Sequence, residues 1–99
     1  MDYDLKFLLS AELDIENATD YYANISVRVL KSFNKRLDEA LLKISISPFF
    51  QKKYEEVRFL ALRNFPYIVL YEVDEEIKTI YILSVFCTHQ NPEKYPETK

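Results

Sequence analysis

The chain has 99 residues, 48% of them hydrophobic and 15% aromatic, and its net charge is −3, a size and composition typical of one domain. It contains no glycine, which excludes phosphate-binding loops of the Walker and Rossmann types, because these loops need glycine for their tight turns. One cysteine and one histidine are too few for a standard zinc site or an internal disulfide. We therefore predict a single domain, residues 1–99, without metal or cofactor.

The apolar runs, the start of the chain and the single cysteine together predict where the protein is located. No apolar run reaches the roughly 18 residues that cross a bilayer. The start of the chain, Met1 to Asp4, has no basic region of the kind that opens a secretory signal. A lone cysteine also suits the reducing cytosol. We predict a cytoplasmic protein with no membrane partner.

The charges are divided along the chain. Residues 1–27 carry six acids and one base, residues 28–63 carry nine bases and four acids, and residues 64–99 carry six acids and three bases. A nucleic-acid-binding domain usually has a larger basic excess over its whole length. We therefore interpret most of the basic middle third as the solvated face of a helix.

The N-terminal half predicts a short strand and two helices. Residues 4–9 alternate in polarity and then become apolar, as in a strand with one buried face. Ser10 and Ser26 are the candidate N-caps of the two helices, and Pro48 ends the second. The predicted apolar stripes are Ala11, Ile15, Ala18, Tyr22 and Ile25, then Leu30, Phe33, Leu37, Ala40, Leu41 and Ile44. A break of one or two residues between them predicts an antiparallel αα-hairpin.

The C-terminal half predicts three strands, at 57–62, 67–73 and 79–88, because β-branched and aromatic residues alternate there. Their short connections predict an antiparallel meander. In the last strand one face is expected to carry Tyr81, Leu83, Val85 and Cys87, and the other Ile80, Ile82, Ser84 and Phe86. Residues 89–99 contain two prolines and no apolar period, so we predict an extended tail.

This order of strand, helical hairpin and meander resembles that of the RelE/ParE superfamily of bacterial toxins. The resemblance extends from about Leu5 to Pro92, and its most specific segments are Phe65-Pro66-Tyr67, Tyr71-Glu72-Val73 and Ile82-Leu83-Ser84-Val85-Phe86. It implies an α+β fold in which an N-terminal strand and an αα-hairpin pack on an antiparallel β-sheet meander. It also implies a toxin of a type II toxin-antitoxin system, a plasmid stabilisation protein that is neutralised by a cognate antitoxin.

The superfamily implies two alternative activities. RelE-like members resemble metal-independent ribonucleases that cut ribosome-bound mRNA with lysines on the second strand, an arginine that opens the third, and an arginine and a tyrosine after the last. Cleavage of RNA needs a base, an acid and cations for the crowded phosphate. The corresponding strand positions here hold Phe59, Leu60, Ala61, Pro66, Tyr67 and Ile68. Only Arg58, Arg63 and His89 are left as candidates for a nuclease site.

ParE-like members resemble inhibitors of DNA gyrase that act by binding, and the sequence fits them better. We predict a binding site for the antitoxin or the target at Lys52, Lys53, Arg58, Arg63 and His89. Cys87 is predicted to be a buried core thiol, and the packing tyrosines are expected at Tyr3, Tyr54 and Tyr95. An inactive relic that binds only its antitoxin is a third hypothesis.

Overall fold

The computed structural model describes residues 2–88, which form two helices and five strands. The elements follow in the order β1 (Asp4–Phe7), α1 (Leu9–Ala23), α2 (Val27–Ile46), β2 (Lys52–Tyr54), β3 (Val57–Ala61), β4 (Tyr67–Asp74) and β5 (Thr79–Cys87). The predicted α+β class, with its helical hairpin and its meander, is confirmed. Within the described residues, no helix is long and apolar enough to cross a membrane. The predicted tail lies outside the described residues.

All five strands belong to one mixed sheet in the order β1-β5-β4-β3-β2. Strands β2 to β5 pair with antiparallel neighbours, whereas β1 runs parallel to β5, with Asp4 opposite Thr79 and Phe7 opposite Ile82. The sequence did not predict β2, a three-residue edge strand with two lysines, which is a composition that protects a sheet edge. The helical hairpin is the crossover that brings the first strand beside the last.

The second helix begins and ends as predicted. The Ser26 Oγ accepts a hydrogen bond from the Val29 backbone N–H at 3.1 Å and so satisfies one of the free amides of the first turn. The helix ends at Ile46, and Pro48 two residues later has no amide hydrogen with which to continue it.

The first helix begins two residues earlier than predicted, and the cap prediction for Ser10 is wrong. Leu8 is the N-cap of α1 and makes no side-chain capping bond. The Ser10 Oγ instead donates to the Leu83 carbonyl oxygen at 2.6 Å, so this hydroxyl ties α1 to β5. Ile25, predicted as the last residue of the apolar stripe, is exposed because the helix ends at Ala23.

Removal of the α2 cap should lower the stability of the fold. We expect Ser26→Ala to reduce the free energy of unfolding by about 1 kcal/mol, because the Val29 amide loses its partner. Urea unfolding followed by circular dichroism measures the change. Ser32→Ala, at an exposed position within the same helix, is the matched control and should change stability by less than about 0.5 kcal/mol. Equal losses in the two variants would contradict the capping role.

Three turn residues adopt the left-handed backbone region that glycine normally occupies. Glu55, Asn64 and Lys78 have φ values of 46°, 68° and 53°. Asn64 is a common choice at such a position, whereas Glu55 and Lys78 carry a steric cost of about 1 kcal/mol each. Each of the three residues lies in or next to a tight connection between strands, so the glycine-free chain makes its turns with strained residues.

The main core fills the space between the helices and one face of the sheet. Its buried residues on the sheet include Val69, Tyr71, Ile80, Ile82 and Val85. From the helices it takes Ala11, Ala18, Tyr22, Phe33, Leu37, Ala40 and Ile44. A second, smaller cluster on β3, β4 and β5 contains Val57, Ile68, Leu70 and Phe86. The predicted core positions of both helices are thus confirmed apart from Ile25, with Ile15, Leu30 and Leu41 only partly buried.

A β-bulge in β5 changes the predicted faces of that strand. Leu70 pairs with Ser84 but Tyr71 pairs with Ile82, so Leu83 is an extra residue without a partner in the ladder. After the bulge, the side chains of β5 that would have pointed to one face of the sheet point to the other. Val85 therefore joins the main core beside Ile82, while Leu83 packs against the second cluster. The prediction that Ile80, Ile82 and Phe86 share one face, with Leu83 and Val85 on the other, is wrong for this reason.

Candidate protein-binding site

Within residues 2–88, no strand lies beside the C-terminal half of β5 on the side that faces β1. Strand β1 pairs with β5 only as far as Ile82, which lies opposite Phe7. The Leu8 backbone N–H then donates to the Ile82 carbonyl oxygen at 3.0 Å, and the chain turns into α1. Residues 83–87 consequently lie beside a helix instead of a strand, and a cleft opens between α1 and β5.

Side chains of α1 hold the exposed backbone of the bulge. The Asp14 Oδ2 accepts hydrogen bonds from the Ser84 hydroxyl at 2.7 Å and from the Val85 backbone N–H at 3.1 Å. The Ser10 hydroxyl donates to the Leu83 carbonyl oxygen one turn earlier along the helix. Because β1 pairs with β5 only as far as Ile82, these two side chains of α1 take the place of a strand beside the backbone groups of Leu83 and Val85.

This contact gives Asp14 a clear effect on stability. We expect Asp14→Ala to lower the free energy of unfolding by about 1–3 kcal/mol, since two donors on β5 lose one charged acceptor. Thermal and urea unfolding measure the loss. Glu16→Ala, which removes an exposed carboxylate two residues further along α1, should change it by less than about 0.5 kcal/mol. A smaller loss for Asp14 than for Glu16 would show that the tether contributes nothing.

The cleft widens into a cavity of about 410 Å³. Residues from α1, from the start of β4 and from the end of β5 line it: Asp14, Asn17, Ala18, Tyr21, Tyr22, Pro66, Tyr67, Val85, Phe86 and Cys87. Cys87 was predicted to be a buried core thiol, but it is only partly buried and lies at this cavity, because β1 pairs with β5 only as far as Ile82. The volume is sufficient for one or two side chains of a partner.

Aromatic rings form the floor of the cavity. The Tyr22 ring stacks on Phe33 with centroids 5.0 Å apart and meets Phe65 edge-on at 5.2 Å. Burial, reinforced by the neighbouring Tyr22 and Cys87 side chains, raises the pKa of Tyr67. Burial also raises the pKa of Tyr22. Both phenols are therefore neutral near physiological pH and serve as hydrogen-bonding groups, not as bases.

The predicted basic residues fall in two places: Lys52 lies opposite Arg58 on the neighbouring strand, and Arg63 lies beyond the other end of β3. Lys52 and Lys53 lie on the edge strand β2, where the Lys52 Nζ is 3.2 Å from a Glu56 carboxylate oxygen. The Lys53 Nζ is 5.8 Å from the centroid of the Phe59 ring. Both lysines are exposed, which leaves them accessible to a partner at the edge of the sheet. The fifth predicted residue, His89, lies outside the described residues, as does Tyr95.

The two predicted arginines occupy different surroundings. Arg58 donates from Nη1 to the Phe50 carbonyl oxygen at 2.6 Å, and its guanidinium carbon is 5.4 Å from the centroid of the Phe49 ring. Arg58 thus holds the segment that follows α2. Arg63 lies near Glu39 of α2, whose pKa is lowered mainly by the hydrogen bond from Arg36 and further by the charge of Arg63. Arg58 therefore packs against the segment after α2, whereas Arg63 is exposed and belongs to a basic surface next to α2.

The sheet positions that would carry a nuclease site are apolar. Phe59 and Ile68 belong to the second cluster, together with Leu70 and Phe86. The start of β4, where a nuclease site would need a cation, holds Pro66 and Tyr67. Tyr67 contributes to the aromatic floor of the cavity. Among residues 2–88 no group of three His, Cys, Asp or Glu side chains is placed to hold a metal ion. The described part of the chain therefore presents apolar and phenolic groups where RNA chemistry would need charge.

The residues of the cleft were missed at the sequence level, although a signal for them exists. Ser10, Asp14, Asn17 and Tyr21 follow one another at spacings of four, three and four. This is a second helical stripe, mainly polar, beside the apolar one, and it marks the side of α1 that faces β5. A polar stripe of this kind is common on solvated helices, so only the position of β5 gives it meaning.

Solved toxin-antitoxin structures share this fold at low sequence identity. The chromosomal ParDE system from P. aeruginosa is 20% identical, with 88% of this chain and 97% of that chain covered and a TM-score of 0.70. The RelBE2 complex from Mycobacterium tuberculosis is 21% identical (86% and 96% covered, TM-score 0.56), and the intact E. coli RelBE complex is 20% identical (89% and 99%, TM-score 0.51). The protein therefore has the fold of these small toxins.

The sequence itself defines the family. The model of the ParE toxin of type II toxin-antitoxin systems, parDE, matches residues 5–92, which is nearly the whole chain. The chain belongs to the ParE toxin family. Among curated proteins no sequence match is found. The resemblance to the RelE/ParE superfamily that the sequence indicated is thereby confirmed.

Proposed function

We propose that the protein is a toxin that acts in the cytoplasm by binding a protein, with DNA gyrase as its target, and that a cognate antitoxin neutralises it. The observation that carries the proposal is the apolar character of the sheet where a ribonuclease needs cations. Membership of the ParE family and the fold of the P. aeruginosa ParDE system support the same choice. A binding mechanism requires a shaped surface and no acid-base pair.

We place the partner at the cleft between α1 and β5. The cavity has an aromatic floor, a rim of polar groups from α1 and an edge of β5 that no strand of the described residues covers. A partner segment can therefore insert a side chain between Tyr21 and Tyr67 and lie along this edge of β5. The exposed Lys52 and Lys53 on β2 give an acidic antitoxin a second, electrostatic contact.

Expression of the chain without its antitoxin tests the proposal. We expect growth arrest with intact transcripts, induction of the response to DNA damage and, with purified components, inhibition of supercoiling by gyrase. Co-expression of the protein encoded by the neighbouring gene should restore growth. Intact supercoiling at a large excess of the chain would refute gyrase as the target, and the absence of growth arrest would favour an inactive relic.

A ribosome-dependent ribonuclease is the second candidate, because the M. tuberculosis and E. coli RelBE structures share the fold. Its reduced site would consist of Arg58, Arg63 and His89. The same experiment separates the two functions, since this activity cuts transcripts at codon boundaries in a translating extract. Arg63→Ala should abolish such cleavage, whereas gyrase inhibition at the α1–β5 cleft should survive it.

The single cysteine reports on the occupancy of the cleft. Cys87 is partly buried at the cavity and is the only thiol of the chain. We expect alkylation by N-ethylmaleimide to be at least about tenfold slower when the antitoxin is bound, because a bound segment excludes the reagent. Mass spectrometry measures the rate, and Cys87→Ser, which has no thiol, gives the background. An unchanged rate in the saturated complex would place the antitoxin elsewhere.

A further inference from the structure

The face of the helical hairpin opposite the sheet carries four large aliphatic side chains in two pairs. Leu9 and Leu13, one turn apart on α1, are 69% and 49% exposed. Leu42 and Ile46, one turn apart on α2, are 58% and 55% exposed. Each of the four lies two residues from a buried residue of its own helix, hence about 200° around the helix axis from the core. They form one outward apolar surface, which we call the outer patch.

The two helices of the hairpin carry opposite charge. Helix α1 contains four acids and no base, whereas α2 contains five bases and two acids. Asp20 on α1 and Lys35 on α2 are both exposed, and both lie two residues from buried residues of their helices. The outer face therefore continues from the outer patch into an acidic half on α1 and a basic half on α2.

Residues of the outer face on α1 and on α2 lie at equal distances along the hairpin axis from a common reference level. The stacked rings of Tyr22 and Phe33, 5.0 Å apart, mark one common level on α1 and α2. Leu13 is nine residues before Tyr22, and Leu42 is nine residues after Phe33. The helices run in opposite directions because a turn of three residues joins them, so both leucines lie about 13 Å from the marked level and on the same side of it.

The remaining residues of the outer face obey the same correspondence. Leu9 and Ile46 are each thirteen residues from the marked level, and Asp20 and Lys35 are each two residues from it. Every aliphatic residue of the outer patch thus has an aliphatic counterpart at its own level on the other helix. Asp20 has a counterpart of opposite charge.

We propose that this face joins two copies of the chain in a dimer whose twofold axis runs parallel to the helices. Rotation by 180° about such an axis exchanges the two sides of the hairpin and leaves the level along the helices unchanged. Leu13 of one copy then packs on Leu42 of the other, and Leu9 packs on Ile46. Asp20 of each copy faces Lys35 of the other. The surface is therefore complementary to itself in both polarity and charge.

A second copy fits this face better than an unrelated helix does. A partner helix with charges of one sign would be attracted by one helix of the hairpin and repelled by the other, whereas a second copy supplies both signs at the required levels. One like-charge pair, Glu16 with Glu39, also falls at a common level. Its repulsion is reduced because the Arg36 Nη1 is 3.1 Å from the Glu39 carboxylate. This dimer is independent of the proposed target and of the cleft.

Charge reversal tests the dimer without disturbing the fold. In Asp20→Lys alone, or in Lys35→Asp alone, both symmetric contacts of the homodimer bring like charges together, and we expect the dissociation constant to rise about tenfold. An equimolar mixture of the two variants forms a heterodimer in which both contacts have opposite charges again. Sedimentation equilibrium should show that the mixture associates about as tightly as the unaltered chain. Only an intermolecular contact explains such a rescue.

The outer patch gives a second test with a matched control. Leu13→Glu should weaken the dimer at least about 100-fold, because it places a charge at two symmetric apolar contacts. Ile77→Glu, a change at a similarly exposed residue (57%) between β4 and β5, should leave it intact. A monomeric unaltered chain at about 100 μM, or no rescue in the mixed charge variants, would overturn the proposal. Circular dichroism shows whether each variant is folded. If Leu13→Glu is unfolded, the charge-reversal test still decides the proposal.

Discussion

Phe33→Ala should lower the free energy of unfolding by about 3–5 kcal/mol, the largest loss that we expect from one substitution. The Phe33 side chain is fully buried, and its ring lies 5.0 Å from Tyr22 and 5.4 Å from each of Phe65 and Tyr67, measured between centroids. Truncation leaves a cavity where α1, α2 and the β3–β4 turn meet. A loss of this size approaches the whole stability of a domain of about 100 residues.

Chemical denaturation measures this effect, and Tyr21→Ala is its matched control. Tyr21 carries a ring of similar size and contacts Tyr22 edge-on at 5.0 Å, but it is 60% exposed. We expect a loss below about 1 kcal/mol for the control, because little apolar surface is transferred to water. Similar losses for the two variants would mean that the aromatic cluster does not hold the helices on the sheet.

Asn17→Trp should abolish growth arrest and lower the affinity for the antitoxin at least about 100-fold. Asn17 is exposed on α1 and lines the cavity, so an indole at this position fills the space proposed for a partner side chain. A centrally placed anchor residue commonly contributes this much to binding. Colony counts after induction and calorimetric titration with the antitoxin measure the two effects.

Asn34→Trp is the control for the blocked cleft. Asn34 is also exposed but lies on α2, away from the cavity. The control should retain toxicity and affinity to within about threefold. If the Asn17 variant is folded and binds the antitoxin as tightly as the control does, the cleft is not the binding site. Urea unfolding of both variants separates a loss of binding from a loss of structure.

The elements that were predicted correctly from the sequence depend on local chemistry. Helix α2 has an amphipathic pattern, a serine cap and a terminating proline, all of which act within one or two turns. The parallel pairing of β1 with β5 depends instead on residues about 75 positions apart, such as Asp4 and Thr79, and no local pattern encodes it. The bulge at Leu83 was missed because neither glycine nor proline marks it.

The candidate site was less predictable than the fold. The charge pattern identified Arg58 and Arg63 as one basic group, but Arg58 is bound to the Phe50 carbonyl oxygen and Arg63 lies beside α2. Phe59 and Ile68, at positions where a nuclease would need charged groups, pack in the second cluster. The cleft escaped detection because it depends on where β1 stops, which is a property of the three-dimensional pairing and not of any segment.

The pairing of the first strand with the last has a consequence for the synthesis of the protein. Strand β1 leaves the ribosome before its hydrogen-bonding partner β5, which begins at Thr79, 75 residues after Asp4. Until β5 is available, β1 has no neighbour and the helical hairpin has no complete sheet to cover. Long-range closure of this kind slows folding. A nascent or truncated chain that lacks β5 is therefore expected to be unfolded and unable to bind the proposed partners.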